Sequence, residues 1–132
     1  MAELKWDRDT ALRRVSSNET LLKELMGLMR DSLEENLNLI DRAIVSDQPE
    51  KVALGAHSIK GASANMAIEG IRETTQLMEQ AARAGEMEKV KALHPQLVEL
   101  TGQWGELCSA LMSAAQVDKK GGPTGGGGLD QI

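Results

Sequence analysis

The chain has 132 residues, which is enough for one domain with one hydrophobic core and too short for a kinase or a two-domain enzyme. Twenty acidic and fifteen basic residues give a net charge of −5, which disfavours electrostatic binding to nucleic acid or to an anionic membrane. Leu, Ala and Met supply most of the hydrophobic residues and Phe and Tyr are absent, so the composition favours helices over sheets.

No targeting, metal-binding or disulfide signal is found in the sequence. The N-terminus, MAELKWDRD, lacks the pattern of a signal peptide, and the apolar runs are too short to span a membrane, so we expect a cytoplasmic protein. The single cysteine, Cys108, excludes an intrachain disulfide. Because His57 and His94 lie far apart and lack Cys partners at ligand spacing, we predict neither a metal site nor a cofactor.

The first third of the chain predicts two helices. A short helix from Trp6 to about Val15 is expected to lie across one end of a larger helical core. The polar residues that follow offer two caps for the next helix, either Ser16 with Glu19 or Asn18 alone. That helix carries an apolar residue every three or four positions, as an amphipathic helix does: Leu22, Met26, Met29, Leu33, Leu37, Ile40 and Ile44.

Two further helices follow. The segment SDQPE at 46–50 ends the second helix and starts a third over about 49–67, with Asp47 as its candidate cap. The predicted core side of the third helix consists of Val52, Ala56, Ile59, Ser63 and Met66. The fourth helix runs from Ile68 to Ala84, and Gly85 is suited to a left-handed C-terminal stop.

From Val90 onward the apolar residues follow a seven-residue repeat, which suits near-parallel helix packing. The repeat ends after Gln116, and the Gly-rich residues 117–132 are typical of a disordered tail or linker. Residues 1–116 are therefore predicted to form an all-α, antiparallel, up-down-up-down four-helix bundle, with the short N-terminal helix capping one end.

One residue of the third helix does not fit the core pattern. His57 lies about 140° from the centre of the core side, so its imidazole is predicted to face solvent. The same face carries Ala53, Gly61 and Ala64 as small residues and Lys60 as a cation. Gly61 destabilises a helix by about 1 kcal/mol relative to Ala, which is explained if another surface must come close to the histidine.

This face of the third helix is also expected to bind a partner. Leu54 and Ile68 lie within about 60° of the histidine direction and form a candidate apolar rim for docking. No acidic residue occurs between Lys51 and Ala67, so the helix is a local positive strip that suits an anion. An exposed imidazole is a competent nucleophile at cellular pH, and the ammonium of Lys60 can neutralise charge on a phosphoryl group.

The segment AHSIKGASAN at 56–65 resembles the AHxLKGxxxN signature of histidine-containing phosphotransfer (HPt) domains, and the likeness in layout covers residues 4 to 115. The resemblance implies a phosphocarrier in a multistep His-Asp phosphorelay, which exchanges a phosphoryl group with the aspartate of response-regulator receiver domains. By position, it implies that His57 is the phosphorylated residue, Lys60 its electrostatic helper and Gly61 the residue that gives clearance.

The same resemblance implies a phosphotransfer intermediate without autokinase activity, and no ATP-binding segment is present in the sequence. The implied partners are receiver domains, which supply magnesium, and a hybrid sensor histidine kinase. We expect a monomer, because the exposed histidine face needs no second copy. Ala67 stands where the family commonly has Gly, and Gly55 replaces a larger apolar residue. These departures are expected to alter the turn into the fourth helix and to loosen the packing under His57.

Three other functions would also place a histidine on an exposed helix. His57 can be an ordinary surface residue of a helical scaffold without phosphotransfer activity. The dimerisation bundle of a sensor kinase is disfavoured, because Ser58 rather than an acid follows the histidine and the next proline is Pro95. A hydrolase is disfavoured because no acid in the same helix can orient His57. His94 is predicted to be a solvated surface residue.

Overall fold

The computed structural model describes residues 2–121, which form five α-helices and one isolated β-bridge between Trp6 and Ile68. The helices are α1 (Arg8–Arg14), α2 (Glu19–Val45), α3 (Pro49–Asn65), α4 (Glu69–Arg83) and α5 (Met87–Gly121). Helix α5 passes the boundary predicted at residue 116. The rest of the predicted Gly-rich segment, 122–132, lies outside the described residues.

Helices α2 to α5 form a closed four-helix arrangement, in which α3 packs against α2 and α4, and α5 packs against α4 and α2. Consecutive helices are joined by short turns and therefore run antiparallel. This confirms the predicted all-α bundle. The core is filled by aliphatic, Met and Trp side chains, of which the largest fully buried ones are Trp104, Leu22, Leu33, Ile40, Ile59, Ile68, Ile71, Met78, Leu97, Leu100, Val52 and Val90.

The starts of α2 and α3 are capped differently. The side chain of Asn18 accepts a hydrogen bond from the amide of Leu21 at 3.0 Å, so Asn18 caps α2 as one of the two alternatives predicted. The prediction that Asp47 caps α3 is wrong. Asp47 has a φ of 55°, and the capping position is taken by Gln48, whose side chain makes no capping hydrogen bond. Pro49 follows at the first helical position, where its missing N–H leaves one donor fewer to satisfy.

The turns that flank α4 both contain a residue with left-handed backbone geometry. Gly85 has a φ of 74°, which confirms the predicted glycine stop after α4. Ala67 has a φ of 60° in the turn before α4, so this turn keeps the conformation that glycine favours although an alanine occupies it. Burial of Ala67 against the bundle offsets part of a strain of about 1 kcal/mol.

The N-terminal segment that precedes α1 lies across the start of α4. The carbonyl groups of Leu4 and Lys5 accept hydrogen bonds from the amides of Gly70 and Glu69, at 2.8 and 3.1 Å. Ile68 occupies the capping position of α4, and its side chain makes no capping hydrogen bond. The two carbonyl groups therefore take the place of a side-chain cap. A Cβ atom on residue 70 would lie 2.1 Å from a carbonyl oxygen of this segment, so the close approach requires glycine.

Two tryptophans fix the N-terminal segment to the bundle. Trp6 donates from Nε1 to the carbonyl of Met66 at 2.9 Å, and its ring meets the ring of Trp104 edge to face, with centroids 4.8 Å apart. Trp104 is fully buried and donates from Nε1 to the carbonyl of Met26 at 3.2 Å. Arg14 at the end of α1 donates to the last carbonyl groups of α3, so α1 lies over that end of the bundle.

Gly55 allows α3 to approach α2 closely beneath the histidine face. A Cβ atom on residue 55 would lie 2.7 Å from Cγ1 of Ile40 and 3.4 Å from the carbonyl oxygen of Asn36. Ile40 is fully buried and has little room to move. The expectation that this glycine loosens the packing under His57 is therefore wrong, because a larger residue would push the two helices apart.

The two glycines at positions 55 and 102 should respond in opposite ways to the same added methyl group. We expect Gly55→Ala to lower the free energy of unfolding by about 1–3 kcal/mol, because the methyl collides with Ile40. Gly102→Ala in α5 should raise it by about 0.5–1 kcal/mol, because nothing lies within 4 Å of the new atom and alanine favours a helix. Urea denaturation followed by tryptophan fluorescence measures both. Equal effects of the two substitutions would contradict the close contact between α2 and α3.

Candidate functional site

His57 projects from the middle of α3, on the side of the helix that faces away from the core. The core side of α3 is buried against the bundle, with Val52 and Ile59 almost fully covered. The imidazole of His57 is 62% exposed, as the helical angle predicted. Because α3 packs between α2 and α4, the direction of the histidine is set by two helix contacts rather than by a loop.

A buried carboxylate from α4 lies behind the histidine. The side chain of Glu79 is only 8% exposed and contacts three other charged or titratable side chains. Its Oε1 lies 2.7 Å from Nζ of Lys60, and its Oε2 lies 3.1 Å from Nδ1 of His57. Arg83 donates to the same Oε2 from Nη2 at 2.7 Å and from Nε at 3.0 Å. We call these four residues the Glu79 cluster.

The charge of Glu79 follows from its surroundings. Burial by itself raises the pKa of the carboxyl group, but hydrogen bonds from Lys60 and Arg83 outweigh burial and lower the pKa of Glu79 to about 2. Glu79 is therefore ionised throughout the cellular pH range and can only accept hydrogen bonds.

This contact assigns the tautomer of the histidine. Since the carboxylate of Glu79 only accepts, the proton of a neutral imidazole must lie on Nδ1 of His57, the nitrogen that faces Glu79. The lone pair is then on Nε2, at the opposite edge of an exposed ring. A carboxylate that holds one imidazole nitrogen and directs the other outward is an arrangement that prepares the ring as a nucleophile.

The sequence prediction missed Glu79. Helix α3 has no acid beyond Glu50 in its first turn, but α4 supplies one, so the positive strip predicted for 51–67 is partly neutralised and an acid does orient His57. Glu79 occupies a position among the buried residues Thr75, Met78 and Ala82. A charged residue within a buried stripe requires a partner of opposite charge, so the position of Glu79 in the sequence was the available signal that it is paired. Its partners on α3 could not be identified without knowing which helices pack together.

The predicted docking residues divide into exposed and buried ones. Leu54, Gly61 and Ala64 are exposed around His57, and a Cβ atom on Gly61 would meet nothing within 4 Å. Ala53 and Ile68 are only 3% and 0% exposed, so their assignment to a docking rim is wrong.

The reasons for the two errors are structural. Ala53 faces the end of α4 and forms part of the floor of a groove that is also lined by Leu54, Ala82 and Arg83. Ile68 lies beyond the last residue of α3, so the angle of 100° per residue no longer describes its direction. It occupies the capping position of α4 and forms a bridge with Trp6.

His94 is not the solvated residue that the sequence predicted. It lies on α5, its side chain is 28% exposed, and its Nε2 contacts Oδ1 of Asp41 on α2. This pair connects two helices of the bundle and lies apart from the Glu79 cluster. The periodicity of α5 shows that His94 lies off the core stripe, but it does not reveal the acid on the neighbouring helix.

Among residues 2–121, no group of three or more His, Cys, Asp or Glu side chains is placed to hold a metal ion. None of the helices in the described part of the chain combines the length and apolarity needed to cross a membrane.

In a comparison with known protein families, the model of the Hpt domain matches residues 24–116. This match agrees with the helical bundle, the exposed histidine and the Lys-Gly pair one turn after it. The chain belongs to the Hpt domain family. Domains of this family are phosphotransfer carriers rather than classical enzymes. Family membership therefore assigns the chain to phosphorelay chemistry, and receiver domains are the kind of partner this implies.

The curated relatives are much longer than this chain. The signal transduction histidine-protein kinase BarA of Escherichia coli K12 is 28% identical over 99 residues, which cover 75% of this chain and 10% of BarA. BarA of Shigella flexneri is 27% identical over the same length. The chain thus spans about a tenth of the length of these relatives.

Two solved structures share the fold. Histidine-containing phosphotransfer protein B (HptB) from Pseudomonas aeruginosa PAO1 superposes with a TM-score of 0.77 at 22% identity, covering 83% of this chain and 96% of HptB. The HPT domain of a sensor hybrid histidine kinase from Shewanella gives a TM-score of 0.63 at 21% identity, covering 85% of this chain and 94% of that domain. Both likenesses confirm the helical bundle.

The low pKa of Glu79 should appear in the acid dependence of stability. Because its pKa falls from an ordinary value of 4.5 to about 2 in the folded protein, its contribution is complete above pH 4.5 and is lost as the pH falls toward 2. We expect Glu79→Gln to be less stable than the unsubstituted protein at pH 7, with a difference that shrinks between pH 4.5 and pH 2. Urea denaturation across this range measures it. A difference that is independent of pH would contradict an ionised, stabilising Glu79.

Proposed function

We propose that this chain is a phosphocarrier in a multistep His-Asp phosphorelay and that His57 carries the phosphoryl group on Nε2. The observation that supports this most directly is the exposed imidazole whose inner nitrogen is held by a buried, ionised carboxylate. Such a ring needs no further base to become a nucleophile, because its proton already lies on the other nitrogen. The aspartyl phosphate of a receiver domain is the proposed donor and acceptor.

The transfer step is a displacement at phosphorus. The lone pair of Nε2 forms a P–N bond while the P–O bond to the receiver aspartate breaks, and the electron pair of that bond stays on the carboxylate oxygen. The ring gains a positive charge, which faces the carboxylate of Glu79 through the Nδ1 proton. The carboxylate of Glu79 pairs with the positively charged ring, which keeps the Nδ1 proton on the ring and preserves a reactive phosphoimidazolium for the reverse transfer.

Lys60 and Gly61 serve the transfer in different ways. The ammonium of Lys60 lies one helical turn from His57 and provides positive charge for the phosphoryl oxygens. Gly61 leaves the backbone bare beside the ring, so that the rim of the receiver pocket can reach Nε2. Leu54 and Ala64 are the exposed side chains proposed to contact the receiver.

The partners proposed are receiver domains and a hybrid sensor histidine kinase. This is supported by the match to the kinase BarA and by the likeness to a domain of a hybrid histidine kinase from Shewanella. Magnesium is proposed to belong to the receiver, so that the chain itself needs no cofactor and has no autokinase activity. It is proposed to act as a monomer in the cytoplasm, with its single histidine face open to each receiver in turn.

Substitution of the acceptor tests the site directly. We expect His57→Gln to abolish labelling when the protein is mixed with a phosphorylated receiver domain, while the protein stays folded, because the substituted side chain is exposed. The measurement is acid-labile, alkali-stable phosphate on the chain, with circular dichroism for folding. His94→Gln is the matched control and should still be labelled. Phosphohistidine on the His57→Gln variant would contradict the site, and its absence from the unsubstituted chain across many receivers would favour a helical scaffold.

Gly61 offers a way to separate docking from stability. We expect Gly61→Leu to raise the free energy of unfolding by about 0.5–1 kcal/mol, because leucine favours a helix and meets open space. The same variant should transfer phosphate at least about tenfold more slowly, because its side chain obstructs the receiver. Stopped-flow transfer kinetics and urea denaturation measure the two effects. Gly102→Leu, which is exposed on α5, serves as the control, and transfer by Gly61→Leu at the unsubstituted rate would show that clearance is unimportant.

A further inference from the structure

We propose that Arg83 is a second phosphoryl-binding residue and that Arg83 and Lys60 redistribute from Glu79 to the phosphoryl oxygens when His57 is phosphorylated. This rests on the proposed phosphocarrier function and specifies how the site holds the group once it has arrived. The histidine helix itself provides only Lys60 near the ring. Arg83 lies on α4, 26 positions after His57 in the sequence, and helix packing brings it to the site.

The position of Arg83 is set by the carboxylate oxygen that it shares with the histidine. Its Nη2 and Nε donate to Oε2 of Glu79 at 2.7 and 3.0 Å, and Nδ1 of His57 lies 3.1 Å from the same atom. The guanidinium and the imidazole therefore converge on one oxygen. Glu79 is buried whereas the side chain of Arg83 is 59% exposed, so the cation lies at the surface beside the reactive ring.

The charges of the Glu79 cluster change in a way that releases its cations. Before transfer, the carboxylate of Glu79 is paired with Lys60 and Arg83, and the form of the ring that attacks phosphorus is the neutral one. After transfer, the ring carries a positive charge that faces Glu79, and the new group on Nε2 carries about two negative charges. The imidazolium takes over the role of counter-ion to Glu79. Lys60 and Arg83 are then available for the phosphoryl group, and together they match its charge.

The chemistry of the guanidinium suits this second role. Arginine has five N–H donors in a planar fork, and Glu79 engages one edge of that fork through Nε and Nη2. Its remaining donors can bind phosphoryl oxygens before the contact with Glu79 is lost. Arg83 is also the last residue of α4, so rotation of its side chain needs no movement of the helix. Lys60, with a compact ammonium 2.7 Å from Oε1, reaches the group from the α3 side.

The experiment compares Arg83→Ala, Arg83→Lys and Lys60→Ala with Arg72→Ala, whose arginine forms a similar pair with Glu69 elsewhere on α4. Each protein is equilibrated with a phosphorylated receiver domain, and the phosphorylated fraction of the chain is measured. We expect Arg83→Ala to shift this equilibrium toward the receiver by about fivefold to tenfold, as loss of a charge-assisted hydrogen bond predicts. Arg83→Lys should recover part of the loss, and Arg72→Ala should match the unsubstituted chain.

Phosphorus NMR separates direct binding from a structural effect. Loss of a cation that touches the phosphoryl group should raise the pH at which its phosphorus signal titrates, whereas the ¹⁵N signals of the unphosphorylated His57 ring should keep the pattern of a ring protonated on Nδ1 in Arg83→Ala. If the ¹⁵N signals lose this pattern and the phosphorus titration does not move, Arg83 only supports Glu79 and the proposal is overturned. A labelled Arg83→Ala with unchanged equilibrium and titration also overturns it, and leaves the phosphocarrier function intact. Failure to label the unsubstituted chain would overturn both.

Discussion

The buried carboxylate of Glu79 is the interaction on which the site depends. A charged group with so little exposure is tolerated only if it is fully paired, and here the pairing is with Lys60 and His57 on α3 and with Arg83 on its own helix. The contact that stabilises the packing of α3 against α4 is therefore the same contact that sets the orientation and tautomer of the histidine. Structure and reactivity cannot be altered independently at this position.

The precision of the site also depends on close backbone approach. Gly55 lets α3 lie against Ile40 of α2, and Gly70 lets the N-terminal segment lie against the start of α4. Because these two positions have no side chain, α3 packs directly against α2 and α4 packs directly against the N-terminal segment. Gly61 has the opposite role, because its missing side chain leaves room outside the bundle rather than inside it. A ring held on such a framework loses little conformational freedom when a partner arrives.

The sequence predicted most of what depends on local periodicity. The helices, the stop at Gly85 and the outward direction of His57 follow from spacing within one segment, and Asn18 is one of the two caps that the same spacing allows for α2. What it missed depends on contacts between segments. Glu79 reaches the histidine only because α3 and α4 pack together, and Ala53 is covered by the same packing. Ile68 was placed wrongly because the chain leaves the helix at Asn65, where extrapolation of the helical angle stops being valid.

The N-terminal segment has a consequence for how the molecule folds. Trp6 donates a hydrogen bond to Met66, which lies 60 positions away in the sequence. The adjacent residues Leu4 and Lys5 supply the carbonyl groups that complete the first turn of α4. Contacts of such long sequence separation form after local helices, because closing the intervening loop carries an entropy penalty before any contact is gained. The segment can dock only when the turn before α4 and the ring of Trp104 are already in place. It therefore belongs to the last stage of assembly, and local opening of the native state should begin there.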